Sequence, residues 1–140
     1  MNAVIRKVAV VLACTQACAF AASGLHEAAA STAAPNFVCG GVGEADQQAM
    51  KAQAAQHDLM LTFAESTGAY LSDVAVQIRD LRGGVVLDTI CHGPIMLVDL
   101  PRAGRWRVTA QVNGASREKT VATTAGHTTR VSLTWPAGTS

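Results

Sequence analysis

The chain has 140 residues, with 11 Lys and Arg against 10 Asp and Glu for a formal net charge of +1. Near-neutrality gives no electrostatic reason to expect nucleic acid or an anionic membrane as a partner, and the length suits one ordinary domain. Hydrophobic residues make up 49% of the chain, enough to build a core rather than an unfolded tail.

The first 21 residues read as an export signal. Arg6 and Lys7 form a small basic start, and Val8 to Phe20 is uncharged and mostly apolar. Ala19-Phe20-Ala21 fits the small-x-small rule for signal peptidase, which predicts a mature start at Ala22. The apolar run is too short for a spanning helix, which needs roughly 20 residues, so no transmembrane anchor is expected in the mature chain. Val11-Leu12-Ala13-Cys14 loosely resembles a lipobox, which leaves lipidation of Cys14 as the alternative. Removing 21 of 140 residues leaves 119, and Lys plus Arg fall from 11 to 9 against 10 acids, a net charge of −1. Residues 22–38 are rich in Ala, Ser and Thr and are expected to be a flexible lead-in.

Export simplifies the cysteines. Cys14 and Cys18 leave with the signal, and Cys39 and Cys91 remain as an even pair in an oxidising compartment. A Cys39–Cys91 disulfide is the leading reading, with a metal-binding or reactive thiol, or a bond between two chains, as competitors.

Residues 44–56 predict a helix, because Ala, Gln, Lys and Met dominate and Glu44 and Asp46 sit in the first turn, where the helix dipole favours negative charge. Its apolar face is mostly alanine, so it is expected to pack lightly on a sheet edge rather than make a core. From Asp58 the apolar period becomes two. Strands are expected over Leu59–Ala64, Asp73–Asp80, Val85–Leu87, Ile95–Leu100, Trp106–Val112, Lys119–Thr123 and Val131–Trp135, seven in all. Turn signals separate them: Gly83-Gly84, Gly93-Pro94, Pro101 to Gly104, and Asn113-Gly114. The last is the strongest, since both residues tolerate the positive φ of a type I′ hairpin. That loop pairs Arg107 with Thr120 and Val108 with Lys119. The fold expected is all-β: an antiparallel seven-stranded sandwich with one short N-terminal helix, over residues 39–136, followed by a tail at 137–140. The expected core is Leu59, Leu61, Phe63, Val74, Val76, Ile78, Leu87, Leu97, Trp106, Val108, Val131, Leu133 and Trp135.

Asp73 to Asp80, Gly84 to Asp88 and Leu100 to Val108 together carry a resemblance to carboxypeptidase regulatory-like, transthyretin-like or Ig-like, β-sandwich domains. In that family the last run usually reads Leu-Pro-x-Gly-x-Tyr-x-Val. Here Trp106 stands for the Tyr, and Ala103 is an extra residue in the turn. The resemblance also extends to small exported proteobacterial proteins with this domain. It implies a fold and a non-catalytic module, not a chemistry.

Catalytic constellations are sparse. His26, His57, His92 and His127 show no metal-ligand spacing, and no serine sits in a Gly-x-Ser-x-Gly elbow. Asp73 and Asp80, seven apart on one strand, fall on opposite faces and are expected to cap turns. Arg102, Arg105, Arg107, Arg117 and Lys119, interrupted by Glu118, read as a solvated edge that deters sheet-to-sheet aggregation. Cys91, His92 and Met96 are the one metal candidate: thiolate, imidazole and thioether together suit copper(I), unless Cys91 is oxidised. The sequence therefore points to a non-enzymatic exported module, periplasmic or secreted, without cofactor, that binds an envelope protein or surface ligand. The alternative is a periplasmic small-ligand or copper-binding protein.

Overall fold

The computed structural model describes residues 35–140. The export signal, Cys14 and most of the expected lead-in lie outside the described residues. Eight strands and one helix follow in the order β1 (Phe37–Gly40), α1 (Glu44–Gln53, extended by a 3₁₀ turn over Ala54–Gln56), β2 (Leu59–Glu65), β3 (Val74–Asp80), β4 (Val85–Cys91), β5 (Ile95–Val98), β6 (Gly104–Val112), β7 (Ala115–Thr123) and β8 (Thr129–Trp135). The seven strands expected after the helix are all present. The eighth, β1, corrects the expectation of a flexible lead-in reaching residue 38. Phe37 to Gly40 is instead tied along β5 in antiparallel register, with Cys39 opposite Met96.

The strands form two four-stranded sheets, in the orders β1-β5-β2-β8 and β4-β3-β6-β7. Their apolar inner faces share one core, as in a sandwich. The arrangement is not purely antiparallel as expected. β2 and β8 run parallel from Leu59–Thr129 to Glu65–Trp135, a pairing between distant segments that no local turn announces. The hairpin expected from Asn113-Gly114 holds its predicted register, with Arg107 opposite Thr120 and Val108 opposite Lys119.

Period-two alternation sorts side chains between the sheets and the outside. Leu59, Leu61 and Phe63 of β2, Val74, Val76 and Ile78 of β3, and Trp106, Val108, Ala110 and Val112 of β6 all point inward and are buried. Each such large side chain contributes about 1.5–3 kcal/mol on full burial. Phe63 meets Trp135 edge-on, with ring centroids 6.3 Å apart. Both indoles find partners: Trp106 Nε1 donates to Thr123 Oγ1 at 3.3 Å, and Trp135 Nε1 to the Ala115 carbonyl at 3.0 Å. Val131, expected in the core, is only half-buried and packs against it.

A second, smaller core lies on the outside of the first sheet. Met60, Ile95 and Leu97 project outward there, and Met50 and Ala54 of the helix segment cover them. The helix thus roofs a sheet face, which corrects the expectation that it would rest on a sheet edge without making a core. It also reassigns Leu97, which joins this second cluster rather than the one between the sheets. The alanine-rich face is what permits the close approach. Asp46, at the third helical position, accepts hydrogen bonds from the backbone N–H groups of Gly41 and Val42 and so fixes the entry from β1. At the other end Thr128 Oγ1 donates to the Ala54 and His57 carbonyls, both at 2.8 Å.

Strand β4 carries a bulge: Ile78 pairs with Leu87 but Arg79 with Val85, leaving Val86 as the extra residue. Just beyond β4, the chain returns to the first sheet through His92, Gly93 and Pro94. Gly93 runs so close to β1 that a methyl group on it would lie 2.7 Å from the carbonyl carbon and 2.8 Å from the Cα of Gly40. Backbone cannot yield as a side-chain tip can. Gly93→Ala is therefore expected to destabilise the protein by about 3 kcal/mol, at the upper end of overpacking costs. Gly83→Ala, whose methyl meets nothing within 4 Å but whose φ is +92°, is expected to lose only about 1 kcal/mol through backbone strain. Urea unfolding of the two variants beside the parent protein checks the order.

Candidate functional site

Cys39 and Cys91 come from the edge strands β1 and β4, one in each sheet, and lie at disulfide distance with Cα atoms 5.5 Å apart. Gly93 allows this approach. Met96, opposite Cys39 in the β1–β5 register, is fully buried in the core between the sheets. His92 turns the other way. Its side chain is 79% exposed, and Nδ1 sits 2.7 Å from Asp73 Oδ1. The three candidate copper ligands thus do not converge on one point: one faces its cysteine partner, one faces solvent and one fills the core. Among the described residues, no group of three or more His, Cys, Asp and Glu side chains is placed to hold a metal ion.

The Asp73–His92 pair marks one end of the sandwich. The β2–β3 loop, the β4–β5 turn, the β6–β7 hairpin and the C-terminal segment 136–140 gather there. Between them is a cleft of about 360 Å³ lined by Tyr70, Leu71, Ser72, Asp73, Val112, Asn113 and Ser140. Asp73 and Asn113, both in its wall, are the described non-glycine residues with positive φ, at 58° and 47°. For Asn113 the type I′ turn explains it. For Asp73 the hydrogen bond to His92 accompanies it, and such residues tolerate this region better than most. Asp80, by contrast, does what the sequence suggests and caps a turn, with Oδ1 accepting from the backbone N–H groups of Arg82 and Gly84, each at 2.9 Å.

The far wall of the cleft is pinned by Glu65. Its Oε1 accepts the Ser140 backbone N–H at 2.9 Å, and Asn113 Nδ2 donates to the Thr139 carbonyl at 2.6 Å. The Ser140 hydrogen bond is the largest cause holding the Glu65 carboxyl below its ordinary value of 4.5. Sequence reasoning passed over Glu65 and the Asp73–His92 pair, because their partners lie 75 and 19 residues away.

The two sides of the sandwich differ. On one, β7 and β8 are laced together by Arg117 Nε donating to the Thr134 carbonyl at 2.8 Å, Thr129 Oγ1 to the Ala122 carbonyl at 2.9 Å, and the Trp135 indole to Ala115. Exposed Arg117 and Lys119 line β7 there. On the other side, β1 and β4 are edge strands that expose Phe37, Val38, Val85 and Ile90, with Val38 42% and Ile90 54% exposed. The basic residues read as one solvated edge are divided. Arg117 and Lys119 belong to the laced side, Arg102 stacks 4.8 Å from the Trp106 ring centroid, and Arg105 and Arg107 lie on the outer face of the second sheet.

No protein-family model matches the chain, and no curated protein matches it. Among the described residues no helix is long and apolar enough to cross a membrane.

Reduction of the Cys39–Cys91 pair, which closes a sequence separation of 52 residues, is expected to lower stability by about 4 kcal/mol through regained loop entropy. Urea titrations with and without reductant measure it. Glu65 supplies a pH test with a defined sign. A carboxyl whose folded value is depressed contributes stability that is present above its unfolded value and is lost as pH falls through the folded one. The stability gap between the parent and Glu65→Gln is therefore expected to be open at pH 7 and to close below about pH 4. Thermal unfolding across that range reads it, and a gap that widens on acidification contradicts the assignment.

Proposed function

We propose that the protein is a non-enzymatic module of the bacterial envelope that binds another protein along the open β1–β4 side of its sandwich. The observation that carries this reading is the contrast between the two sides. The β7–β8 side is hydrogen-bonded shut and lined with charge, the usual protection of a sheet edge. The β1–β4 side leaves two edges with Phe37, Val38, Val85 and Ile90 in solvent. Unpaired edge backbone flanked by aliphatic side chains suits strand addition, in which main-chain hydrogen bonds supply affinity and alternate side-chain positions supply selectivity. Export rests on the signal-like residues 1–21, and the pairing of Cys39 with Cys91 suits an oxidising compartment. The resemblance to carboxypeptidase regulatory-like domains supports the same class, a binding module rather than an enzyme.

Two measurements test this. Intact mass of protein from the periplasm is expected to start at Ala22 and to be two hydrogens light until reductant is added. A retained leader, or two free thiols, would sink the export reading. A photo-crosslinking residue at Val38 in living cells is expected to give a discrete adduct with one protein, and Ile90→Asp is expected to abolish it. The same probe at Ser116, on β7, is expected to give none. Adducts from Ser116 alone, or none from Val38, overturn the edge-binding reading.

A further inference from the structure

The outer face of the second sheet carries an arrangement that neither the core nor the edges require. Arg79 of β3 and Arg107 of β6 stand directly opposite each other in the antiparallel register, on the two central strands of that sheet. Opposed side chains there have Cβ atoms about 5 Å apart, and like charges so placed destabilise a sheet. Arg105, two residues before Arg107, is on the same face and diagonal to Arg79, within about 8 Å. Three guanidinium groups therefore share one small area.

The neighbours neutralise them only in part. Arg79 Nε donates to Gln77 Oε1 at 2.6 Å, and Gln77 Nε2 in turn donates to Asp88 Oδ2 at 3.1 Å, so a neutral amide stands between that acid and the arginine. Arg107 Nε is 3.4 Å from Glu118 Oε1, while Thr109 Oγ1 donates to the other oxygen of the same carboxylate at 3.5 Å. Both tethers run through Nε and pull toward the row of Gln77, Thr109 and Glu118. Among the described residues, no hydrogen bond is made by the terminal nitrogens of Arg79 or Arg107. Arg105 has no carboxylate within ion-pair distance there. Two guanidinium groups are thus held in place at one nitrogen with their forked ends left open.

We propose that Arg79, Arg105 and Arg107 form a binding site for the phosphate monoester or pyrophosphate group of a soluble ligand. A compact, doubly charged oxyanion bridges opposed guanidinium forks through paired N–H···O bonds and removes the repulsion that the empty face carries. A discrete anion fits better than a lipid surface. The rest of this face presents Gln77, Thr109, Gln111, Thr120 and the apolar Val85 and Ile90 with the carboxylates Asp88 and Glu118, and a flat array of anionic headgroups would press against both acids. Arg79 pairs across β3 and β4 with Val85 of the open side, so the two sites adjoin; the arginine variants below read this one independently of the edge-binding reading.

Titration of isotope-labelled protein with inorganic pyrophosphate at low ionic strength, followed by NMR, tests it. Saturable shifts are expected at Gln77 to Arg79 and at Arg105 to Thr109, weakening several-fold between about 20 and 200 mM salt. Arg79→Gln and Arg105→Gln are each expected to weaken binding about fivefold, since each removes one charge-assisted donor pair. Arg130→Gln, on β8 of the other sheet, is expected to leave it unchanged. Both exposed-face variants must give the parent's dispersed spectrum, so lost binding is not read from lost fold. The proposal is overturned by the absence of saturable shifts up to about 1 mM pyrophosphate, which keeps the ionic strength low. It is equally overturned by shifts spread over Arg117, Lys119 and Arg130, or by sedimentation with phosphatidylglycerol vesicles in protein that ignores pyrophosphate.

Discussion

The close approach of the β4–β5 turn to β1 is the constraint on which the rest of the molecule depends. Gly93 lies against the Gly40 backbone, and the chain offers Cys91 two residues before the one and Cys39 one residue before the other. A four-residue strand such as β1 has too few ladder hydrogen bonds to hold an edge alone. Backed by the cysteine pair and by Gly93, it closes the sheet that the helix then roofs. Asp46 completes the unit by holding the Gly41 and Val42 amides, so strand, turn and helix entry are one piece. Together they hold one end of the small outer core of Met50, Ala54, Met60, Ile95 and Leu97, whose other end Thr128 holds through the Ala54 and His57 carbonyls.

This arrangement also explains why the sandwich is asymmetric. One flank is closed by side chains reaching across to backbone carbonyls, which consumes edge acceptors and leaves charges outermost. The other is closed by sulfur from within, between the sheets, which consumes no edge hydrogen-bonding group at all. Cross-linking by Cys39 and Cys91 therefore secures β1 and β4 while leaving their outer rims unoccupied. The same fold could have been sealed on both flanks by polar side chains; the sequence instead places Phe37, Val38 and Ile90 at the rim.

Most of the main sandwich was legible because its strands are half-buried, and half-burial writes a period of two. β3 and β6 alternate cleanly, and Asn113-Gly114 specifies a turn whose geometry sets the register of Arg107 and Lys119. β1 was not legible. Phe37-Val38-Cys39-Gly40 is too short to show a period, and its partner β5 is 58 residues further on. β5 itself was recognisable as apolar but not sortable: Ile95 to Val98 is buried on both faces, and a continuous apolar run does not say which residues face which core. The parallel β2–β8 pair and the Glu65–Ser140 contact are products of topology, with nothing local to announce them. Of the candidate site, the sequence marked Cys39 and Cys91 rightly as a pair. It grouped His92 with Met96 by proximity along the chain, although neighbours at a strand's end and at the next strand's second position have no reason to point the same way.

The outer face of the second sheet shows how charge can be placed against local preference. β-sheet stability favours Thr, aromatic or opposite-charge pairs across central strands. Thr109 with Glu118 and Gln77 with Asp88 avoid like charge and hydrogen-bond across the strands. Arg79 and Arg107 break that preference one row away, on the same two strands, where the alternatives were equally open. The two acids on this face lie one row away, where Gln77 holds Asp88 and Glu118 divides its oxygens between Thr109 and Arg107. Locally inconsistent choices in an otherwise consistent sheet are where function is to be sought. Here the inconsistency is a concentration of positive charge with open donors, so the ligand it implies is an anion.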